Sequence, residues 1–184
     1  MKRRSSYLQV TTAVILKPAI RNTNAPVMTA VHIPLVIRGG NFRGGKSDNR
    51  LVSLIDLPAT LLSIADIDIP DYFDGYDLCD DDERDCVYIQ ISESQCGRAI
   101  RTKQYKYSVS APTLALGMAV PKSPVYIEEY LYNLDDDPME LHNLIKDPTY
   151  SVVRKKLREM LLVEMKKAGE GKAKILPAVI VKSK

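Results

Sequence analysis

The stretch from residue 151 to residue 168 constrains this chain more than any other. Val152, Val153, Leu157, Met160, Leu161, Val163 and Met165 recur at the spacing of one helical face, while Arg154, Lys155, Lys156, Arg158, Lys166 and Lys167 fall on the other. Gly169 follows as the natural helix C-cap. A helix with such a stripe must bury it against a second layer. The segments ahead of it supply that layer. Residues 86–92, residues 98–102 continuing to 105–109, and residues 129–134 are rich in Tyr, Ile and Val and alternate in polarity. That pattern favours antiparallel strands with one wet face. The sequence therefore predicts an α+β arrangement: an antiparallel sheet packed by a C-terminal amphipathic helix. The lysine-rich back of the helix reads as a solvated face rather than a nucleic-acid patch. Lys and Arg number 26 against 23 acids, a net charge of +3 that is too mild for a polynucleotide partner.

The first half has a different texture. Residues 31–38, Val-His-Ile-Pro-Leu-Val-Ile-Arg, form a compact apolar run that ends at Gly39-Gly40. Its core, Leu35-Val36-Ile37, reads as a strand covered on both faces, with Pro34 at its start. After a glycine-rich loop, Asp56 followed by Pro58 reads as a capping carboxylate and a first-turn proline. Leu57, Leu61, Leu62 and Ala65 then continue at helical spacing to about residue 67. Residues 71–86 form an acidic loop. Asp80-Asp81-Asp82-Glu83 has no internal glycine and no calcium-loop spacing, so it reads as a solvated charge run. Residues 1–25 read as a basic, weakly structured arm. Their apolar stretch is broken by Gln9, Thr11 and Thr12 and stops at Lys17-Pro18, which is a poor signal peptide. No run approaches the roughly 18 apolar residues of a membrane span. Residues 171–184 read as a tail.

The residues offer no complete catalytic constellation. Three cysteines, Cys79, Cys86 and Cys96, make a poor disulfide framework and read as unpaired thiols, although Cys79 and Cys86 are spaced to close one loop. The two histidines, His32 and His142, stand apart, the first reading as structural and the second as surface. Neither belongs to a triad or a zinc site. Gly39-Gly40 and Gly44-Gly45 lack the Lys-Ser/Thr ending of a phosphate loop and read as turns.

Taken in order, these pieces resemble a known family. Residues 33–39, residues 52–62 and Gly75 resemble the late part of a sulfatase catalytic domain. Residues 97–102, Tyr105-Lys106-Tyr107, residues 130–134, Asp137-Pro138-x-Glu140-x-x-Asn143-Leu144 and Asp147-Pro148-x-Tyr150 resemble its C-terminal subdomain. The resemblance covers about residues 31–180. It implies the C-terminal part of an alkaline-phosphatase-like α/β sulfatase fold. The implied division is an arm at 1–25 that matches poorly, a remnant of the α/β catalytic domain at 26–78, an antiparallel subdomain at 79–170 and a tail at 171–184. Glu140 and Asn143 read as caps where a turn gives way to a short helical segment, and the cations of 101–107 as standing on the wet face.

The resemblance also implies a mechanism for the intact enzyme. A formylglycine made from Cys/Ser-x-Pro-x-Arg attacks a sulfuric ester, and calcium held by Asp and Asn stabilises the sulfate oxygens. This chain departs from that pattern. None of its cysteines has Pro at +2 and Arg at +4. Ser110-Ala111-Pro112 has Leu114 where Arg belongs, and Asp48-Asn49 runs into Arg50. The family's substrate-sulfate lysine falls on or beside Thr23, with Lys17 too far away. No catalytic, cofactor-binding or metal residue is therefore assigned. The expectation is a sulfatase-like hydrolase fragment, inactive alone, whose intact form acts on a sulfated small molecule or carbohydrate. No nucleic-acid or membrane partner is expected, and self-association through residues 31–65 is. Two rivals are a non-catalytic binding or assembly module and a fragment of a related phosphodiesterase or phosphoryl transferase. The compartment is left open: the family is often periplasmic, secreted or lysosomal.

Overall fold

The structure, a computed structural model, describes residues 9–12, 34–39, 41–42, 44–45, 47–91, 95–112 and 121–178. His32, Ser92, Leu114 and most of the N-terminal arm lie outside the described residues. The chain divides into two units, Met1–Arg84 and Asp85–Lys184.

In the first unit, β1 (Gln9–Thr12) pairs antiparallel with β2 (Leu35–Arg38), setting Val10 opposite Ile37. The strand expected to be covered on both faces is only half covered. Leu35 and Ile37 are partly buried while Val36 is 61% exposed. Among the described residues β2 has a single strand neighbour, β1, and a two-stranded ribbon is too little to cover its apolar run. Gly39 ends the strand at φ 116°, and its amide and carbonyl close on Phe42 at 3.1 and 2.9 Å. α1 (Asp56–Ile64) follows. Its buried side is Asp56, Ala59 and Thr60, not the expected leucine stripe, and Leu61 is exposed. The helix stops where Asp66 turns left-handed (φ 56°) and the Ile67 amide reaches back to the Leu62 carbonyl.

The second unit is a five-stranded sheet carrying one helix. β3 (Val87–Ile91), β4 (Gly97–Arg101), β5 (Tyr105–Ser110) and β6 (Val125–Asn133) pair antiparallel in chain order. β6 begins ahead of the expected residue 129, because Val125 and Ile127 extend its alternation toward Pro124. The expected tail is also corrected. Residues of β7 (Lys174–Leu176) pair parallel with β6, Tyr126 opposite Ile175, so the sheet is mixed at this edge. Three residues are too few to announce a strand by periodicity. Between Ser108↔Tyr130 and Val109↔Glu128 the register shifts, leaving Glu129 as the extra residue of a β-bulge.

α2 (Ser151–Lys167) starts from a 3₁₀ turn at Pro148–Tyr150. The Asp147 carboxylate sets that turn by accepting the Thr149 amide (2.9 Å) and hydroxyl (2.7 Å). The helix packs Leu157, Leu161 and Met165 onto Ile100, Tyr107, Val109, Tyr126 and Leu131 of the sheet. Each such side chain contributes about 1.5–3 kcal/mol relative to exposure. Val152 and Val163, expected within the stripe, are 79% and 53% exposed. Arg154 and Arg158, expected on the solvated face, reach inward instead to Glu128. Gly169 ends the helix one position past the C-cap Ala168, at φ 76°.

Candidate functional site

In the first unit, Asp56 ties the start of α1 to the chain on either side of it. It was expected to cap α1, but Ile55 holds the N-cap position and Asp56 is the first helical residue. Its fully buried carboxylate looks outward from the helix. It accepts the amides of Ser53 (2.6 Å) and Tyr76 (2.9 Å) and pairs with the Arg84 guanidinium. One turn on, the Thr60 hydroxyl donates to the Asp56 carbonyl (2.7 Å) and accepts the Leu78 amide (2.9 Å). Both side chains thus clasp the loop of residues 75–78 to the helix start. Gly75 belongs to the same clasp: a Cβ there would overlap the Ile55 carbonyl. Beside it lies an open apolar recess of about 290 Å³, lined by Ile55, Pro58, Tyr72, Phe73, Asp74 and Gly75. The acidic run is pinned through its backbone. Arg50 donates to the carbonyls of Leu78, Asp80 and Asp82 while Asp48 holds its Nε at 2.8 Å.

In the second unit three buried carboxylates are each taken by cations. Glu128 accepts from the Tyr107 hydroxyl at 3.0 Å and from the Arg158 guanidinium at 2.5 and 3.0 Å, with Arg154 at 3.5 Å. Glu170 receives Arg98, the Tyr88 hydroxyl (2.5 Å) and the Tyr126 hydroxyl (3.1 Å), which ties the turn after α2 to the sheet. Arg98 is wholly buried and also donates to the carbonyls of Ile91, Gly97 and Pro121. Glu140 pairs with Lys106.

The loop after β6 shows why the Asp-Pro-x-Glu-x-x-Asn spacing matters. Asp137 accepts the amides of Leu141 (3.0 Å) and His142 (2.7 Å), and these bonds hold its carboxyl below the usual range. Glu140 turns left-handed at φ 57° and dives to Lys106. Asn143 accepts the amides of Leu131 and Ile145, both at 3.0 Å, and donates to the Glu129 carbonyl at 2.9 Å. It therefore supplies a strand's hydrogen bonds to the bulged edge of β6 that β7 does not reach. The expected capping roles of Glu140 and Asn143 are corrected accordingly, since the 3₁₀ turn that follows at Pro148–Tyr150 is capped by Asp147 instead. Lys106, expected on the wet face, is 2% exposed.

These groups position backbone and leave little for chemistry. Cys79, Cys86 and Cys96 form no disulfide among the described residues. Burial and the neighbouring Asp77 push the Cys79 thiol up, away from the thiolate that a nucleophile requires. His142 is exposed, 3.6 Å from Asp137. Among the described residues no three His, Cys, Asp or Glu side chains converge as metal ligands. The buried carboxylates face Arg or Lys, so these donors do not fit a calcium ion. Arg84, Arg98, Glu128 and Glu170 were not singled out from sequence. The available signal was a charge inside an apolar strand, as in Gly97-Arg98-Ala99-Ile100.

A mixed five-stranded sheet with one helix across it is the architecture of the C-terminal part of the alkaline-phosphatase-like sulfatase fold. Residues 27–167 match the family model described as N-sulphoglucosamine sulphohydrolase, C-terminal, and the chain belongs to that sulfatase family. It is 28% identical over 167 residues to an ulvan-active sulfatase of Formosa agariphila, covering 75% of this chain and 34% of that protein. A putative sulfatase from Bacteroides thetaiotaomicron superposes with a TM-score of 0.60 at 25% identity, covering 75% of this chain and 30% of that one. The fold is shared with BT4656, solved with its substrate D-glucosamine-2-N,6-O-disulfate.

 BT4656 superposes with a TM-score of 0.57 at 20% identity, over 76% of this chain and 29% of that one. The Bacteroides fragilis yidJ sulfatase superposes with a TM-score of 0.56 at 19% identity. The chain spans 61%, 34% and 26% of the lengths of the three curated relatives it matches.

Proposed function

We propose that this chain is the C-terminal region of a sulfatase whose intact form hydrolyses sulfuric esters of carbohydrates, with sulfated amino sugars as the leading substrate class. The match of residues 27–167 to an N-sulphoglucosamine sulphohydrolase C-terminal family carries the reading. A fold neighbour solved with a glucosamine disulfate supports the substrate class. In this reading the chain is framework. The Asp56 clasp fixes the helix start and the loop of residues 75–78, the Lys106–Glu140 pair and Asn143 fix the edge of the sheet, and α2 closes it. The nucleophile and the calcium ligands come from sequence beyond these residues, so the chain alone does not turn over a sulfate ester. The exposed apolar groups Val36, Leu54, Ile55 and Leu61 make the first unit the part that associates with further protein.

Mass spectrometry of the native polypeptide, recovered with an antibody against this chain, tests the reading. The expected result is a species continuous with, or stably bound to, a Cys/Ser-x-Pro-x-Arg segment that carries formylglycine. A native species with no such segment favours the binding-module alternative.

A further inference from the structure

Between residues 151 and 178 the chain carries eight cations and three acids. Most of the inward charge is neutralised internally: Arg154 and Arg158 by Glu128, Glu170 by Arg98, and Lys167 pairs with Glu164. Lys155, Lys156, Lys166, Lys172 and Lys174 remain, all exposed and making no ion pair among the described residues, against Glu159 alone. The outward surplus is five minus one, or +4, of which α2 itself carries three minus one, or +2, and the segment after it Lys172 and Lys174.

Helical geometry orders this charge. Lys155 and Lys166 lie eleven residues apart, close to three full turns, and so form a row of about 16 Å at 1.5 Å per residue. Lys156 and Lys167, the latter paired with Glu164, form a second row, with Val152, Glu159 and Val163 between the two. The helix dipole gives Lys166 a folding role near the C-terminus. It gives none to Lys155 and Lys156, which stand in the N-terminal half of a helix with no acid in its first turn.

We propose that this outward face of α2 binds a sulfated polysaccharide chain, an inference that rests on the sulfatase reading. Two lysine rows suit a linear polyanion. The helix has no aromatic side chain on which a nucleic-acid base would stack. Val152 and Val163 are too little apolar surface for insertion into a membrane.

The test is a fluorescence-anisotropy titration of a labelled heparin oligosaccharide with the purified chain, between about 50 and 200 mM salt. The expected result is salt-dependent binding. Lys155→Gln with Lys156→Gln weakens it about tenfold at low salt and lowers the slope of log K against log salt by about 2. Lys146→Gln, an exposed lysine outside this face, leaves binding unchanged. Absent binding, a double variant that binds like the wild type, or tighter binding to single-stranded DNA or anionic vesicles than to heparin overturns the proposal. The formylglycine measurement does not depend on these lysines. A formylglycine-bearing native species that ignores heparin overturns the surface alone, and heparin binding without such a segment overturns the sulfatase reading alone.

Discussion

Lys106 on β5 and Glu140 in the loop after β6 form an ion pair whose side chains are 3% and 7% exposed, and Glu140 reaches it from a left-handed backbone at φ 57°. Burial pushes the Lys106 ammonium below the ordinary lysine range, against the pull of Glu140. Removing one partner leaves an uncompensated buried charge. Glu140→Gln or Lys106→Met is expected to cost about 3–5 kcal/mol in urea unfolding, and the double change Lys106→Met with Glu140→Leu less than the two single costs added. Additive losses would show that the pair does not act as a unit.

The packing of α2 predicts a contrast along one helix. Leu161→Ala is expected to cost about 2–5 kcal/mol, because it empties a fully buried site. Val163→Ala, two residues on and half exposed, is expected to stay within about 0.5 kcal/mol. Equal costs at the two positions would contradict the packing described.

Gly75→Ala tests the clasp at the start of α1. The added methyl meets the Ile55 carbonyl, and backbone is not free to yield. A loss of about 1–3 kcal/mol is expected, with faster amide exchange at Tyr76 and Leu78, whose amides bond Asp56 and Thr60. Unchanged exchange at those two amides would remove the clasp from the account.

At alkaline pH the tyrosines decide the sign. Burial pushes the phenols of Tyr88, Tyr107, Tyr126 and Tyr132 above the ordinary value near 10. The fold therefore holds these protons more tightly than the unfolded chain does. The stability they contribute is fully present below about pH 10 and is lost as pH rises toward the folded values. Denaturant midpoints should fall above pH 10 while phenolate absorbance lags behind that of free tyrosine. Phenolate absorbance that follows free tyrosine would contradict this burial.

The sheet, its helix and the family were legible because they rest on period and order: Leu157 and Leu161 repeat at helical spacing, and the strand segments alternate. The polar interior was not legible. Lys106 between Tyr105 and Tyr107 looks like an alternating wet-face residue, and only the distant Glu140 turns it inward. Arg154 and Arg158 look like surface cations until Glu128 arrives beneath them from another strand. Such pairings join residues 26 to 72 positions apart, and local pattern carries no information at that range. β7 was missed for a related reason: three residues earn their strand only from the edge of β6.

Sulfate release from an aryl sulfate and from a sulfated glucosamine, measured on the purified chain with calcium present, tests most directly the claim that this chain is framework for chemistry housed elsewhere. The account predicts no release above the buffer control. Calcium-dependent turnover by the chain alone would contradict it.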